Sequence, residues 1–418
     1  MDTFKIKTFC FFTIVCLFFL LVVPCGYRDG GLCINTPAYA QGVLDIEGAK
    51  IRAGLELQET WDDNIYNAPN DEKSDSITTI VPGVSVSAGT NYKLDAGYTA
   101  RIHQYQEYND EDYTSHTANA QLNLNSPMGL SLNVKELYID TKDPRSETGG
   151  IRASHWLNSV SCGVGYEFPG SNLLLEVNVS QFYLKYDQSV NEPINRKEES
   201  IGATVYYKFF PKTSALVELS TTMTDYFDSP SEATDKDSQK TAVNAGLKWD
   251  ATAKISGRLQ AGWAQKSFDN SLDPSGYPYE DKDIGSVSGN IAYAISETTR
   301  LRTIISRSME ETEYGGNAVY SRSSYYTNTG LSLALALRVI NRVDVDITAG
   351  YHAHEYDNLD PALLAREDDV SHFGIGLTYR IRRWLYAGLS YDYEDTDSND
   401  DSRDQLNNKT MLRIGAAL

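Results

Sequence analysis

The chain has 418 residues, a formal net charge of −20, and 57 Asp plus Glu against 37 Lys plus Arg. Its mean hydropathy of −0.40 excludes a helical membrane protein, which needs several apolar runs of about 20 residues. The acidic excess argues against nucleic acid as a partner, because neutralising phosphates takes a surplus of Lys and Arg. At 41% hydrophobic the chain is too apolar for disorder, and its 28 Tyr need an explanation.

The amino terminus places Lys5 and Lys7 before an apolar stretch from Phe9 to Val23, interrupted only by Thr13, and Ala38-Tyr39-Ala40 follows. A charged start, a short apolar middle and an A-x-A site predict a secretory signal peptide over 1–40, cleaved between Ala40 and Gln41. Acylation at Cys25 is the weaker alternative, since Pro24 fits a lipoprotein site poorly. Cys10, Cys16, Cys25 and Cys33 leave with the signal, so Cys162 is alone in the mature chain and no disulfide can hold it together.

From about residue 50 to the end, runs of roughly ten residues alternate apolar and polar, with period two and no useful helical periodicity. Tyr92, Leu94, Ala96, Tyr98, Ala100 and Ile102 form one apolar face; Ala118, Ala120, Leu122 and Leu124 oppose Asn119, Gln121 and Asn123. Later runs such as Leu331, Leu333, Leu335, Leu337 and Phe373, Ile375, Leu377, Tyr379 read the same way, and Cys162 falls on an apolar face. Connections alternate between short turns, as at Ser126-Pro127-Met128-Gly129, and longer loops rich in Asp, Glu, Asn and Ser. The pattern predicts about eighteen antiparallel strands with both termini on the short-turn, periplasmic side.

A soluble sandwich would alternate too. Strand length, the regular asymmetry of turns and loops, and aromatic residues at strand ends favour a transmembrane up-and-down barrel. Tyr166, Phe168, Phe209, Phe210, Trp249, Tyr293, Tyr379 and Trp384 fall near short turns; Trp156, Tyr183, Trp263, Tyr325, Tyr351, Tyr391 and Tyr393 fall near long loops. Two such girdles would account for the Tyr excess. Within lipid every backbone polar group must be paired, so the sheet has to close. The carboxyl end alternates up to Leu418, like the terminal strand signal read by the barrel-assembly machinery, with Leu in place of the usual aromatic.

A barrel of this size holds an aqueous lumen unless something fills it. Its predicted lining is Asn119, Gln121, Asn123, Lys135, Glu176, Asn178, Glu218, Arg258, Gln260, Arg300, Arg302, Asp344, Asp346, His352 and Arg380. No single charge sign dominates, which suits a neutral or mildly acidic polyhydroxylated solute better than a small ion requiring one strong field. His352 and His354 share a strand face and could bridge a metal with His372, but the pair lacks the spacing of a dedicated zinc motif, and polar lumen residues are the expectation. Acidic stretches such as Asp392 to Asp404 lack a Gly-anchored calcium loop and are read as solvated. No nucleophile-base pairing emerges, so neither an enzyme nor a cofactor is expected.

The segment Glu59-Thr60-Trp61-Asp62-Asp63-Asn64-Ile65-Tyr66, followed by Ser74-Asp75-Ser76-Ile77-Thr78 and Val81-Pro82-Gly83-Val84, resembles the opening of the type-two β-barrel porin family. Members share a similar series of "DN-hydrophobic", "SD" and "PG", and are often encoded in exopolysaccharide gene clusters. The motif likeness covers about residues 55–100; beyond it the match is in barrel pattern and length. It implies a conduit for a secreted polysaccharide in the outer membrane of a Gram-negative bacterium, beside a short periplasmic polysaccharide-export protein. The expected organisation is therefore 1–40 signal peptide and 41–418 barrel, with outer-membrane lipid and a polysaccharide as partners. The alternatives are a general or substrate-selective diffusion porin, and a surface adhesin or structural barrel.

Overall fold

The computed structural model describes residues 44–46, 49–89, 92–142, 153–228, 235–250, 254–273, 275–312, 319 and 322–417. The expected signal segment 1–40, its expected cleavage site at Ala40 and Gln41, and Leu418 lie outside the described residues. The strands are β1 (Leu44–Ile46), β2 (Ala49–Asp62), β3 (Asp75–Ala88), β4 (Tyr92–Tyr105), β5 (Tyr113–Asn125), β6 (Leu130–Thr141), β7 (His155–Glu167), β8 (Leu173–Tyr186), β9 (Arg196–Phe210) and β10 (Thr213–Asp225). They continue as β11 (Ser238–Trp249), β12 (Ile255–Phe268), β13 (Lys282–Ala294), β14 (Thr299–Glu311), β15 (Tyr325–Ile340), β16 (Val343–Tyr356), β17 (Glu367–Arg380), β18 (Leu385–Ser398) and β19 (Gln405–Ala417). Among the described residues no helix is long and apolar enough to cross a membrane.

Each strand pairs antiparallel with its neighbours in sequence, and β19 pairs with β2, so β2 to β19 form a closed eighteen-stranded barrel. Connections from an odd strand to the next even one are short and those from even to odd are long, which puts all short turns at one end. In the β5–β6 turn, Gly129 has φ +84° and donates its N–H to the Ser126 carbonyl at 3.0 Å; a side chain there would run into the Glu167 carbonyl. β3 pairs along all of β2, whereas β19 reaches only Gly54, so the short β1 occupies the seam below it against Ala49–Ile51.

Which face is inside follows from contacts between strands that are not neighbours, since these can form only on the concave side. Arg258 of β12 reaches the Tyr206 hydroxyl of β9 at 3.1 Å, and Arg413 of β19 reaches Thr378 of β17 at 2.8 Å. The opposite parity carries large exposed apolar side chains: Leu55, Val205, Leu219, Leu259, Leu333, Leu377 and Leu412. Such a continuous apolar exterior is unstable in water and matches the hydrocarbon of a bilayer. Strands of 12 to 16 residues exceed the roughly 9–11 that a tilted strand needs to span, so they project beyond the membrane.

Two expectations need correction. Tyr325, placed by sequence in the outer girdle, is buried inside the molecule. Nor do girdles alone explain the Tyr content: Tyr105, Tyr186, Tyr206, Tyr226, Tyr326, Tyr356 and Tyr386 are also buried. The hydroxyl is the reason, because a buried lumen wall needs both ring volume and a polar tip.

The wall is also not uniform. Pairing of β13 with β14 stops at Val287↔Arg307, although β13 stays with β12 down to Lys282 and β14 stays with β15 up to Glu311↔Tyr325. Beyond that point β14 and β15 bend inward. Met309 and Tyr325, which alternation would aim outward, pack on the lumen-facing Ala264 and Ile284, with Ala242 and Phe268 beside them. A second apolar cluster lies inside the barrel, where Leu157, Leu184 and Tyr186 meet Ile139, Phe182 and Ile194 from the β8–β9 connection.

Candidate functional site: the lumen

All fifteen sequence-predicted lining residues sit on the concave parity. The register links Asp95↔Gln121↔Lys135, Gly97↔Asn119, Asn123↔Asn133, Gly163↔Asn178, Glu176↔Thr204↔Glu218, and Gly246↔Gln260 beside Lys248↔Arg258. On the other side it links Ala294↔Arg300↔Ala336↔Asp346, Ala292↔Arg302, Gly330↔His352, Asp344↔Thr378 and Arg380↔Tyr386.

In the half toward the short turns, four of the nine charged residues of this set form ion pairs and others bond neutral amides. Arg258 Nη2 lies 2.5 Å from Glu218, whose other oxygen accepts from Gln260 at 3.1 Å. Asp344 accepts from Arg338 at 3.0 Å and pairs with Arg380 at 2.5 Å. Asn178 donates to Glu176 at 3.1 Å, Arg302 to Asn290 at 3.1 Å, and Asn133 to Asn123 at 2.5 Å. The wall therefore offers hydrogen-bonding groups without a single strong field.

Toward the long loops the lumen narrows around the inward ends of β14 and β15. The buried Lys266 ammonium and Glu311 carboxylate form an ion pair, and the Tyr226 hydroxyl donates to Glu311 at 2.9 Å. Lys240 donates to the Met309 carbonyl at 2.9 Å and Lys236 to the Thr312 carbonyl at 3.2 Å. Lys236, half-buried in the β10–β11 loop, has its ammonium pulled down to about 8 by desolvation. Asp357, in the β16–β17 loop, accepts from the Ser324 N–H at 2.6 Å and hydroxyl at 2.8 Å; burial nevertheless pushes its carboxyl up to about 6.

Beside this inward segment lies a cavity of about 730 Å³. On β6 to β8 its lining is apolar, with Leu137, Leu157 and Phe182; on β14 to β16 it carries Ile304, Glu310, Tyr326, Asn328, His352 and His354. Glu310 accepts from Tyr326 at 3.0 Å, Asn328 at 3.0 Å and Ser308 at 3.1 Å. His352 lies 3.1 Å from both Asn328 and Ser332, and its ring occupies the space that the side-chain-free Gly330 leaves; Gly350 makes the same room for His372. His354 packs against Tyr326. Among the described residues no group of three or more His, Cys, Asp or Glu is arranged to hold a metal ion.

Sequence reasoning missed Glu310, Tyr326, Arg196, Lys240, Lys266 and the lumenal apolar patch. A signal for the patch exists: the polar face of β6, Asn133 and Lys135, turns apolar at Leu137 and Ile139, and that of β14, Arg300 and Arg302, turns apolar at Ile304. Nothing local marks the Lys266–Glu311 pair, whose partners belong to strands that do not adjoin.

The Asp62-Asp63-Asn64 motif has a structural position at the closing seam. Asn64, fully buried, donates to the carbonyls of Ala68 at 2.8 Å and Leu406 at 3.0 Å, while Asn408 donates to Asp63 at 2.7 Å. It ties the long-loop end of β2 to that of β19.

An apolar exterior, a closed sheet and a polar, charge-balanced interior together define a membrane-spanning β-barrel with a lumen. The chain belongs to the family described as "Putative beta-barrel porin 2", whose model matches residues 50–417, and it is an outer-membrane porin barrel. Solved structures similar to it include OccAB3 of Acinetobacter baumannii, at 10% identity over 89% of this chain and 100% of that one, TM-score 0.45. OpdK of Pseudomonas aeruginosa, solved with vanillate, is 10% identical over 88% and 98%, TM-score 0.43. OpdO of the same organism is 10% identical over 89% and 98%, TM-score 0.45. The comparison with curated proteins gives no match.

Proposed function

We propose that the barrel is a passive conduit for an exopolysaccharide leaving the periplasm, reached after removal of the segment 1–40. The observation that carries this reading is the mixed lumen lining, in which charges of both signs, some in contact as in Glu218–Arg258 and Arg338–Asp344–Arg380, are interspersed with amides and hydroxyls. A wall of amides, hydroxyls and charges of both signs suits an uncharged polyhydroxylated chain, which exchanges hydrogen bonds as it slides, better than a small ion that needs one dominant field. A short periplasmic polysaccharide-export protein would deliver the polymer to the short-turn rim. The fifteen residues on the concave face are the proposed path.

Deleting the gene should abolish extracellular polymer while leaving uptake of small solutes intact. The second reading, a diffusion porin for a small solute, is favoured by the narrowing at β14 and β15. Sugar-specific conductance in planar bilayers combined with normal polymer secretion would select it instead.

A further inference from the structure

The cavity beside the inward ends of β14 and β15 differs in charge from the lumen below it. Its lining holds five carboxylates, Glu198, Glu310, Glu311, Asp392 and Glu394, against three fixed cations, Arg196, Lys240 and Lys409. Several of these are already engaged: Arg196 with Glu198 at 2.9 Å, Glu311 with Lys266, and Lys409 with Asp62 at 3.2 Å. Glu310 differs from them. Its three donors, Ser308, Tyr326 and Asn328, are all neutral, and no cation among the described residues forms an ion pair with it.

We propose that this cavity is a subsite for an amine-bearing sugar unit, with Glu310 receiving the ammonium group. The inference rests on the conduit reading and names the class of unit the conduit prefers. Three neutral donors fix the Glu310 carboxylate in place without cancelling its charge, so a solute cation gains a preorganised partner in a partly enclosed space. Opposite it, Leu137, Leu157 and Phe182 present an apolar surface to which the C–H face of a pyranose ring can pack. The volume, about 730 Å³, falls within the range of ligand pockets, roughly 300–1,000 Å³, and has room for more than one ring. A uronate would meet the carboxylate excess and be disfavoured; an N-acetylated unit would keep the packing but lose the charge contact.

The test uses the purified full chain in planar bilayers at mildly acidic pH, with tetramers of glucosamine, N-acetylglucosamine and galacturonate as current blockers. The glucosamine tetramer should block at a concentration at least about tenfold lower than its N-acetylated counterpart, with the galacturonate tetramer weakest. Glu310→Gln should remove this preference and Glu310→Asp should keep most of it, each variant first checked for barrel assembly by heat modifiability. Equal block by the amine and acetylated tetramers, tighter block by galacturonate, or a preference that survives Glu310→Gln would overturn the assignment. Calorimetric titration of the same oligomers into detergent-solubilised protein separates the two readings. Amine-selective binding without conductance removes the conduit and leaves the subsite, whereas polymer passage without amine selectivity removes the subsite alone.

Discussion

Asn64 donates its side-chain N–H to the Leu406 carbonyl at 3.0 Å across 342 positions of sequence, joining the first strand of the barrel to the last. The same side chain accepts from the Ala68 N–H at 2.9 Å, and Asn407 returns the contact by donating to the Asn64 carbonyl at 2.7 Å. The seam is the one place where pairing cannot be secured by a hairpin, because β2 and β19 are the chain-distant pair; a buried amide network stands in for the missing loop.

Asn64→Ala should therefore destabilise the barrel more than its size implies. It removes the side-chain partner of the Ala68 and Leu406 carbonyls and of the Ala68 N–H, three part-buried groups, at a cost of about 1–3 kcal/mol in all. The expected result is a lower temperature for loss of the fast-migrating folded form on a denaturing gel. Thr221→Ala, at a wall position with one long 3.4 Å hydroxyl contact, should hardly shift it.

Replacing Lys266 by Met strands the Glu311 carboxylate in a buried site. Loss of one partner of a buried pair costs about 3–5 kcal/mol, and here the lower end is expected because Arg196 and Lys240 lie near. The double variant Lys266→Met/Glu311→Gln keeps an acceptor for the Tyr226 hydroxyl and should recover at least about 1 kcal/mol relative to the sum of the single changes. Strict additivity in thermal unfolding would contradict the coupling.

Facing can be tested by charge. Leu333 is on the exterior at 37% exposed, and an Arg there should impair assembly by about 2–4 kcal/mol near the bilayer midplane. Gln121→Arg, on the lumen row with Lys135, should assemble normally. Indistinguishable yields of folded protein in outer-membrane fractions would refute the assignment of faces.

Asp357 makes stability depend on pH. Its carboxyl sits near 6 in the folded protein against an ordinary 3.8, so folding favours the protonated form. That contribution is complete below about pH 4 and is lost as pH rises through 6, amounting to at most about 3 kcal/mol for this half-buried group. The groups facing it are Ser324, the Tyr325 N–H and Lys236; Asp237, raised to about 6 by its own burial, adds in the same direction. Thermal unfolding between pH 4 and 7 should show a declining midpoint, and Asp357→Asn should flatten that slope.

Much of the fold was legible because the lipid boundary imposes a period of two over whole strands. Leu331, Leu333, Leu335 and Leu337 declare one face and Asn119, Gln121 and Asn123 the other, and the long-loop and short-turn alternation fixes which ends meet. The fifteen residues expected to line the lumen fall on the concave parity for that reason. Tyr325 was misread because its neighbourhood obeys a different constraint: where β14 leaves β13, the residue no longer meets lipid, and its parity loses meaning. Glu310 and Tyr326 carry the expected lumen parity, yet no sequence pattern sets them apart from dozens of other polar or aromatic positions.

By itself, then, the amino-acid order determined the strand count, the orientation of each strand and the side of the wall on which each regular position lies, since these depend only on local alternation against two solvents. The tertiary structure alone decided that β14 and β15 turn into the lumen, that Lys266 and Glu311 meet, and that Asn64 closes the seam. Those contacts join residues far apart in the chain through packing and buried polar pairing, and neither leaves a periodic trace in sequence.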